Sequence, residues 1–142
     1  MALARMQRLL LDLKIRLRGH PEVTEVSHEW NFWPSGPHLD CSVLANLHGG
    51  HWLQWTLDAV RTSSSAAQFS WHVESAIHLG LGPGEYSADE EILHSFGIKE
   101  IPSVTSLPAA LIGATTELTD SFALEELLQQ AQPIRANYRP TP

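Results

Sequence analysis

A single cysteine, Cys41, in 142 residues leaves no internal disulfide to form, so the fold must rest on its own apolar core. Cys41 sits on the apolar side of an alternating segment, which suggests a packing role in a reducing compartment. Basic residues are scarce: nine Lys and Arg stand against sixteen Asp and Glu, for a net charge of -7. Five of the nine, Arg5, Arg8, Lys14, Arg16 and Arg18, fall in the first twenty residues with Asp12 as the only acid there. That gives +4 at the N-terminus and leaves -11 for the rest. Such a field repels nucleic acid over most of the surface and favours a basic protein partner. No run approaches the roughly 18 apolar residues of a membrane span. Leu9-Leu10-Leu11 is cut short by Asp12, Lys14 and Arg16, which argues against a secretory signal. The expectation is a cytoplasmic protein with neither a membrane nor a nucleic-acid partner.

Specific chemical motifs are missing as well. Gly80-Leu81-Gly82-Pro83-Gly84 has the glycines of a phosphate loop but no lysine after them, and the dinucleotide fingerprint belongs to parallel sheets. Serines are plentiful, yet none lies in a nucleophile elbow. His48-Gly49-Gly50-His51 lacks the second ligand pair of a metal loop. No cofactor and no metal are therefore expected, and no catalytic residue is assigned.

What the chain does carry is periodicity. Over Phe69–Leu79 apolar and polar residues alternate, with exceptions only at Ser75 and Ala76. A period of two marks a strand with one buried and one open face. Two earlier stretches behave alike. In Val23–Trp33 the positions Val26, His28, Trp30 and Phe32 oppose Glu25, Ser27, Glu29 and Asn31. Across residues 38 to 59, Leu39, Cys41, Val43, Ala45 and Leu47 form one inward set and Leu53, Trp55, Leu57 and Ala59 the next. Residues 34 to 37, Pro-Ser-Gly-Pro, read as a turn, and the serine-rich residues 62 to 67 as a connection.

The Gly49-Gly50 hairpin fixes the expected register. A two-residue loop would send the Leu47 and Leu53 sets to opposite faces, so a three-residue loop is required. The reading places it at residues 49 to 51, pairing Leu47 with Leu53, Ala45 with Trp55 and Val43 with Leu57. His48 then stands opposite Trp52 on the open face, and His51 lies in the turn.

Helices flank these strands. Leu3, Met6, Leu10, Leu13 and Leu17 form one stripe over residues 3 to 18, closed by Gly19. Leu9, Leu11 and Ile15 widen that stripe beyond a coiled-coil seam, but a homodimer through it stays open as an alternative. Ser87-Ala88-Asp89-Glu90 has capping-box spacing and predicts a short helix carrying Ile92, Leu93 and Phe96, stopped by Gly97; a fifth strand is the alternative there. Ser106 opens a helix with Leu107, Leu111, Ala114 and Leu118. Ser121 caps a last one with Leu124, Leu127, Leu128 and Ala131, closed by Pro133. The fold class that follows is α+β in two layers: an N-terminal helix, a four-stranded antiparallel meander, and C-terminal helices on one sheet face. Residues 1–133 make one domain and 134–142 a flexible tail.

Functional candidates come from the open face. His72, Glu74 and His78 share it, but His72 and His78 are about 20 Å apart along the strand and cannot bind one ion. A site would need neighbouring strands, where Glu25, Glu29, His48, Asp58 and Asp40 are available. His28 is read as a hydrogen-bonded core residue, and His20, His38 and His94 as incidental. The residues expected to meet a partner are Glu25, Glu29, Trp52, Asp58, His72 and Glu74, with Trp33 near the same face. In size, acidity and helix-plus-meander layout the chain resembles small bacterial immunity proteins and secretion chaperones. That resemblance implies a protein-binding module, with a small enzyme or ligand-binding domain, its pocket between sheet and helices, as the alternative.

Overall fold

A computed structural model describes residues 2–33, 38–65, 68–82, 90–102, 105–120 and 123–138. The chain runs α1 (Ala2–Arg18), β1 (Val23–Trp33), β2 (His38–Leu47), β3 (Trp52–Ser65), β4 (Gln68–Gly80), β5 (Glu90–Ile101), α2 (Leu107–Asp120) and α3 (Leu124–Asn137). The five strands form one antiparallel meander in sequence order. The fold is α+β, with one N-terminal helix and two C-terminal ones.

Parity along the strands sorts the faces as the alternation requires. Val26, then Leu39, Cys41, Val43, Ala45 and Leu47, then Leu53, Trp55, Leu57 and Ala59, then Val73, Ile77 and Leu79 are all buried toward the helices. They meet Met6, Leu10, Leu13 and Leu17 of α1, Leu111, Ala114 and Leu118 of α2, and Leu127 and Ala131 of α3 in one core. Ser75 keeps the parity: it is buried opposite Leu57, and Ala76 takes the open side. Arg16 Nη2 donates to Thr119 O at 3.0 Å and joins α1 to α2. His20 Nε2 and Glu125 Oε1, 2.6 Å apart, bring the start of α3 to the α1–β1 connection.

Several expectations need correction. The segment expected as a short helix is strand β5, so the sheet has five strands rather than four. Ser87, Ala88 and Asp89 of the capping-box pattern lie outside the described residues. Glu90 already pairs with Gly80. Without β5, the backbone groups on one whole side of the thirteen-residue β4 would lack partners, and supplying them outweighs a local cap signal worth about 1 kcal/mol. Gly97, at φ +76°, falls at one of the two register shifts of β5 instead of ending a helix.

The β2–β3 loop has three residues, as parity demands, but it comprises His48, Gly49 and Gly50. Leu47 N donates to His51 O at 2.8 Å, and both glycines take positive φ, 94° and 84°. The register is therefore shifted by two residues: Ala45 faces Leu53, Val43 faces Trp55, and Cys41 faces Leu57. A shift of two leaves every side chain on its face, so burial alone could not reveal it. Trp52 stands opposite Asn46, not His48.

β3 continues through the serine-rich stretch expected as a connection, with Thr62 paired to Ser70. Pro133 does not close α3. The helix carries it internally and runs to Asn137, so residues 134–137, assigned to the tail, are its last turn. Ser121 lies outside the described residues.

Candidate functional site

The open face is built by residues between buried anchors. Leu39 and Cys41 point inward, so His38 and Asp40 point out; Leu57 and Ala59 do the same for Asp58, and Val73 and Ser75 for Glu74. The register then aligns Asn31, Asp40, Asp58, Glu74 and Ile98 in one row across all five strands. Three carboxylates stand in direct cross-strand opposition, an arrangement that destabilises a sheet unless positive charge offsets it. The adjacent row is Trp33, His38, Val60, His72 and Glu100.

Hydrogen bonds fix the carboxylate at the β2 end. Asn31 Nδ2 donates to Asp40 Oδ1 at 2.9 Å, and Trp33 Nε1 donates to Asp40 Oδ2 at 3.1 Å. His38 Nε2 lies 3.0 Å from Asp58 Oδ1 and 3.9 Å from Asp40 Oδ2. One donor atom each from His38, Asp40 and Asp58 falls within 4.8 Å of the others. Beside them His72 Nε2 pairs with Glu100 Oε1 at 3.1 Å. The field of the two aspartates reaches through the sheet. Burial first, and the charges of Asp40 and Asp58 second, push the Cys41 thiol up to about 12.

The structure distributes the six residues expected to bind a partner unevenly. Asp58 and Glu74 are exposed cross-strand neighbours, and half-buried His72 lies one row away, turned to Glu100. Glu29 is exposed opposite Ser42 on the row adjoining the carboxylates. Glu25 is exposed but six residues from Asn31 along β1, about 20 Å away. Trp52 has the open-face parity but is only 1% exposed and packs over Gly80, so it offers no recognition surface. Trp33, half exposed, is the aromatic that the face presents.

His38, set aside as incidental, is the hub of the cluster. The signal for it was the alternation His38-Leu39-Asp40-Cys41, but the shifted register hid its consequence by placing Asp40 opposite Val60. Glu100 was missed because β5 was. His28 is on the helix-facing side, yet β1 is an edge strand and the imidazole remains exposed. Its hydrogen bond comes from Lys14 Nζ at 2.9 Å instead of from the core. His78 bonds Thr56 Oγ1 through Nε2 at 3.2 Å, with Nδ1 2.5 Å from Glu90 Oε1. His51 Nδ1 accepts from Arg135 Nε at 2.9 Å.

A mixed imidazole and carboxylate set of this size can do two things chemically: hold a cationic side chain, or ligate a divalent ion through one nitrogen and two oxygens. Among the described residues two further clefts open at the periphery. One of about 250 Å³ lies between α1 and β1, and one of about 340 Å³ lies along α3 beside His20 and Arg135. Between sheet and helices Val43, Leu53, Leu57, Ile77 and Leu127 have no exposed surface. No helix among the described residues is long and apolar enough to cross a membrane. The chain matches no protein-family model, no curated protein and no solved structure.

Proposed function

We propose that the protein is a small interaction module, immunity-protein-like or chaperone-like, that holds a basic protein partner on its open sheet face. One observation carries the reading: Asp40, Asp58 and Glu74 are aligned across three strands, and the two rows hold no lysine or arginine, only the imidazoles of His38 and His72. A guanidinium or ammonium laid over that row offsets the repulsion that the free protein bears. Exposed Trp33 and Ile98 flank the row and supply apolar contact for the stem of such a side chain. The filled core beneath favours this reading over a ligand pocket between the layers. The test is anisotropy of a labelled arginine-rich peptide against the native protein and a variant with Glu25, Glu29, Asp58 and Glu74 reversed to Lys. All four side chains are exposed, so the fold is expected to survive. Binding to the native protein should weaken with salt, and the variant should not bind. A folded variant that binds equally well removes the face from consideration.

A second reading follows from the donor geometry of His38, Asp40 and Asp58, whose spacing suits a divalent ion with water completing the shell. Calorimetric titration with zinc distinguishes it: stoichiometric binding lost in His38→Ala supports the ion, while heat unchanged in that variant excludes this site.

A further inference from the structure

The carboxylates that would face a basic partner are also the ones toward which the imidazole of His38 turns, so one set of oxygens can serve two kinds of cation. His38 and Asp40 are two residues apart on one face of β2, and Asp58 stands directly across from Asp40 on β3. Their neighbours Leu39, Cys41, Leu57 and Ala59 are at most 3% exposed, so the backbone beneath the three side chains is anchored in the core on both strands. Side chains that rise from paired strands hold their spacing better than side chains on a loop.

That spacing is close to a tetrahedral shell. Around an ion bound at about 2.0 to 2.1 Å, adjacent tetrahedral ligands lie roughly 3.3 to 3.4 Å from one another. His38 Nε2 is 3.0 Å from Asp58 Oδ1 and 3.9 Å from Asp40 Oδ2, on either side of that value. No other group of three such side chains among the described residues gathers its donor atoms within 4.8 Å. Asp40 is also oriented from behind, since Asn31 Nδ2 donates to Oδ1 and Trp33 Nε1 to Oδ2, as the outer partners of a ligating carboxylate do. One nitrogen and two oxygens favour zinc over magnesium or calcium, which take six or more oxygens. All three side chains are partly exposed, so water has access to the fourth position.

We infer that a zinc ion at His38, Asp40 and Asp58 antagonises the basic partner, ion and partner excluding each other from the row. The inference rests on the reading of the open face as the site of that partner. Asp40 and Asp58 are two of the three carboxylates aligned there. Once they ligate an ion, the ligating oxygens are no longer free to accept from a guanidinium. The double charge of zinc also leaves Asp40, Asp58 and Glu74 with one net negative charge in place of three, and the loss acts at contact distance, where salt screens least. Linkage makes the effect reciprocal: a partner seated on the row lowers zinc affinity by the same factor by which zinc lowers partner affinity. His38 is the residue that makes the face sensitive to zinc. It supplies the nitrogen that separates zinc from a hard cation and adds no negative charge to the row.

Anisotropy of a labelled arginine-rich peptide that lacks histidine, cysteine and acidic residues tests the antagonism, with zinc chloride or magnesium chloride added at fixed ionic strength. Saturating zinc is expected to weaken the peptide at least about tenfold, and the same concentration of magnesium to leave it unchanged. His38→Gln keeps all three carboxylates, and the affinity of that variant for the peptide should not respond to zinc. The reciprocal measurement needs no variant: the calorimetric affinity of the native protein for zinc should fall by the same factor once the peptide saturates it. Peptide binding that zinc does not alter overturns the inference and leaves the partner site standing. So does an equal effect of magnesium, which is screening, or an equal effect of zinc on His38→Gln, which puts the ion elsewhere. A native protein that fails to bind the peptide in metal-free buffer overturns the reading of the face itself, and the antagonism with it.

Discussion

The indole of Trp52 lies directly over Gly80, its cross-strand partner: a Cβ built on Gly80 would stand 1.8 Å from Cε2 and 2.2 Å from Cδ2 and Cζ2. The glycine makes room for a ring on the open face, where alternation would otherwise place an exposed tryptophan. Gly80→Ala must displace a ring that is almost wholly buried, at an expected cost of about 3 kcal/mol or more. Denaturant unfolding of Gly80→Ala, Trp52→Ala and the double variant checks this. Because the methyl is harmful only while the indole is present, the double variant should be more stable than the sum of the singles predicts.

The thiol of Cys41 is expected to be inert in the folded protein. It is buried on β2, and burial followed by the nearby Asp40 and Asp58 charges holds its pKa at about 12; only thiolate reacts with disulfide reagents. A thiol reagent should label it at the rate of unfolding and completely in denaturant. Since the folded value is raised, the stability linked to this group is full below the pKa of the unfolded thiol and declines as pH rises through it toward the folded one. Rapid labelling of native protein at neutral pH would show that β2 opens locally.

Much of the architecture was legible because it depends on parity, and parity is local. The inward sets of β1 to β4 and the stripe of α1 follow from side-chain period alone. What escaped depends on pairing between distant segments. Sliding the β2–β3 loop by one residue moves every pair by two without exposing a single apolar group, so no hydrophobic pattern could choose between residues 48–50 and 49–51. That slide decides whether Asp58 faces Ser42 or Asp40, and with it whether a site exists. β5 escaped because the need it meets belongs to β4, whose open edge is invisible in the sequence of residues 90–101. Trp52 escaped because its burial depends on a glycine 28 positions away.

The β2–β3 turn is tied to the last turn of α3 through His51 and Arg135, which gives the fold a defined acid sensitivity. Arg135 Nε donates to His51 Nδ1, and Arg135 Nη2 donates to His48 O at 2.7 Å. Nδ1 must therefore be an acceptor, as in the neutral ring. Burial, and then the Arg135 charge, lower the His51 pKa. The unfolded chain binds this proton more readily than the folded one, so the contribution is complete above the unfolded value of about 6.5 and is lost as pH falls below it. Thermal midpoints measured between about pH 5 and pH 8 should fall on the acid side. They should fall less in His51→Gln, and an unchanged slope in that variant would assign the acid sensitivity to other groups.

Glu74 is the outermost carboxylate of the row and stands opposite Asp58. Asp40 is held by Asn31 and Trp33, and Asp58 by His38, whereas Glu74 has no hydrogen-bond or ion-pair partner among the described residues. Its charge adds repulsion to the sheet without a local return. Glu74→Lys turns a like-charge opposition into an opposite-charge pair, which should stabilise the protein by roughly 0.2 to 1 kcal/mol. The same substitution should weaken the arginine-rich peptide, because it removes one negative charge from the binding row and adds a positive one. A gain in melting temperature coupled to a loss of binding is the signature of a surface whose repulsion is kept for a partner. If Glu74→Lys lowers the midpoint, the row is not repulsive in the free protein; if it raises the midpoint and leaves peptide binding unchanged, the repulsion is real but the partner sits elsewhere.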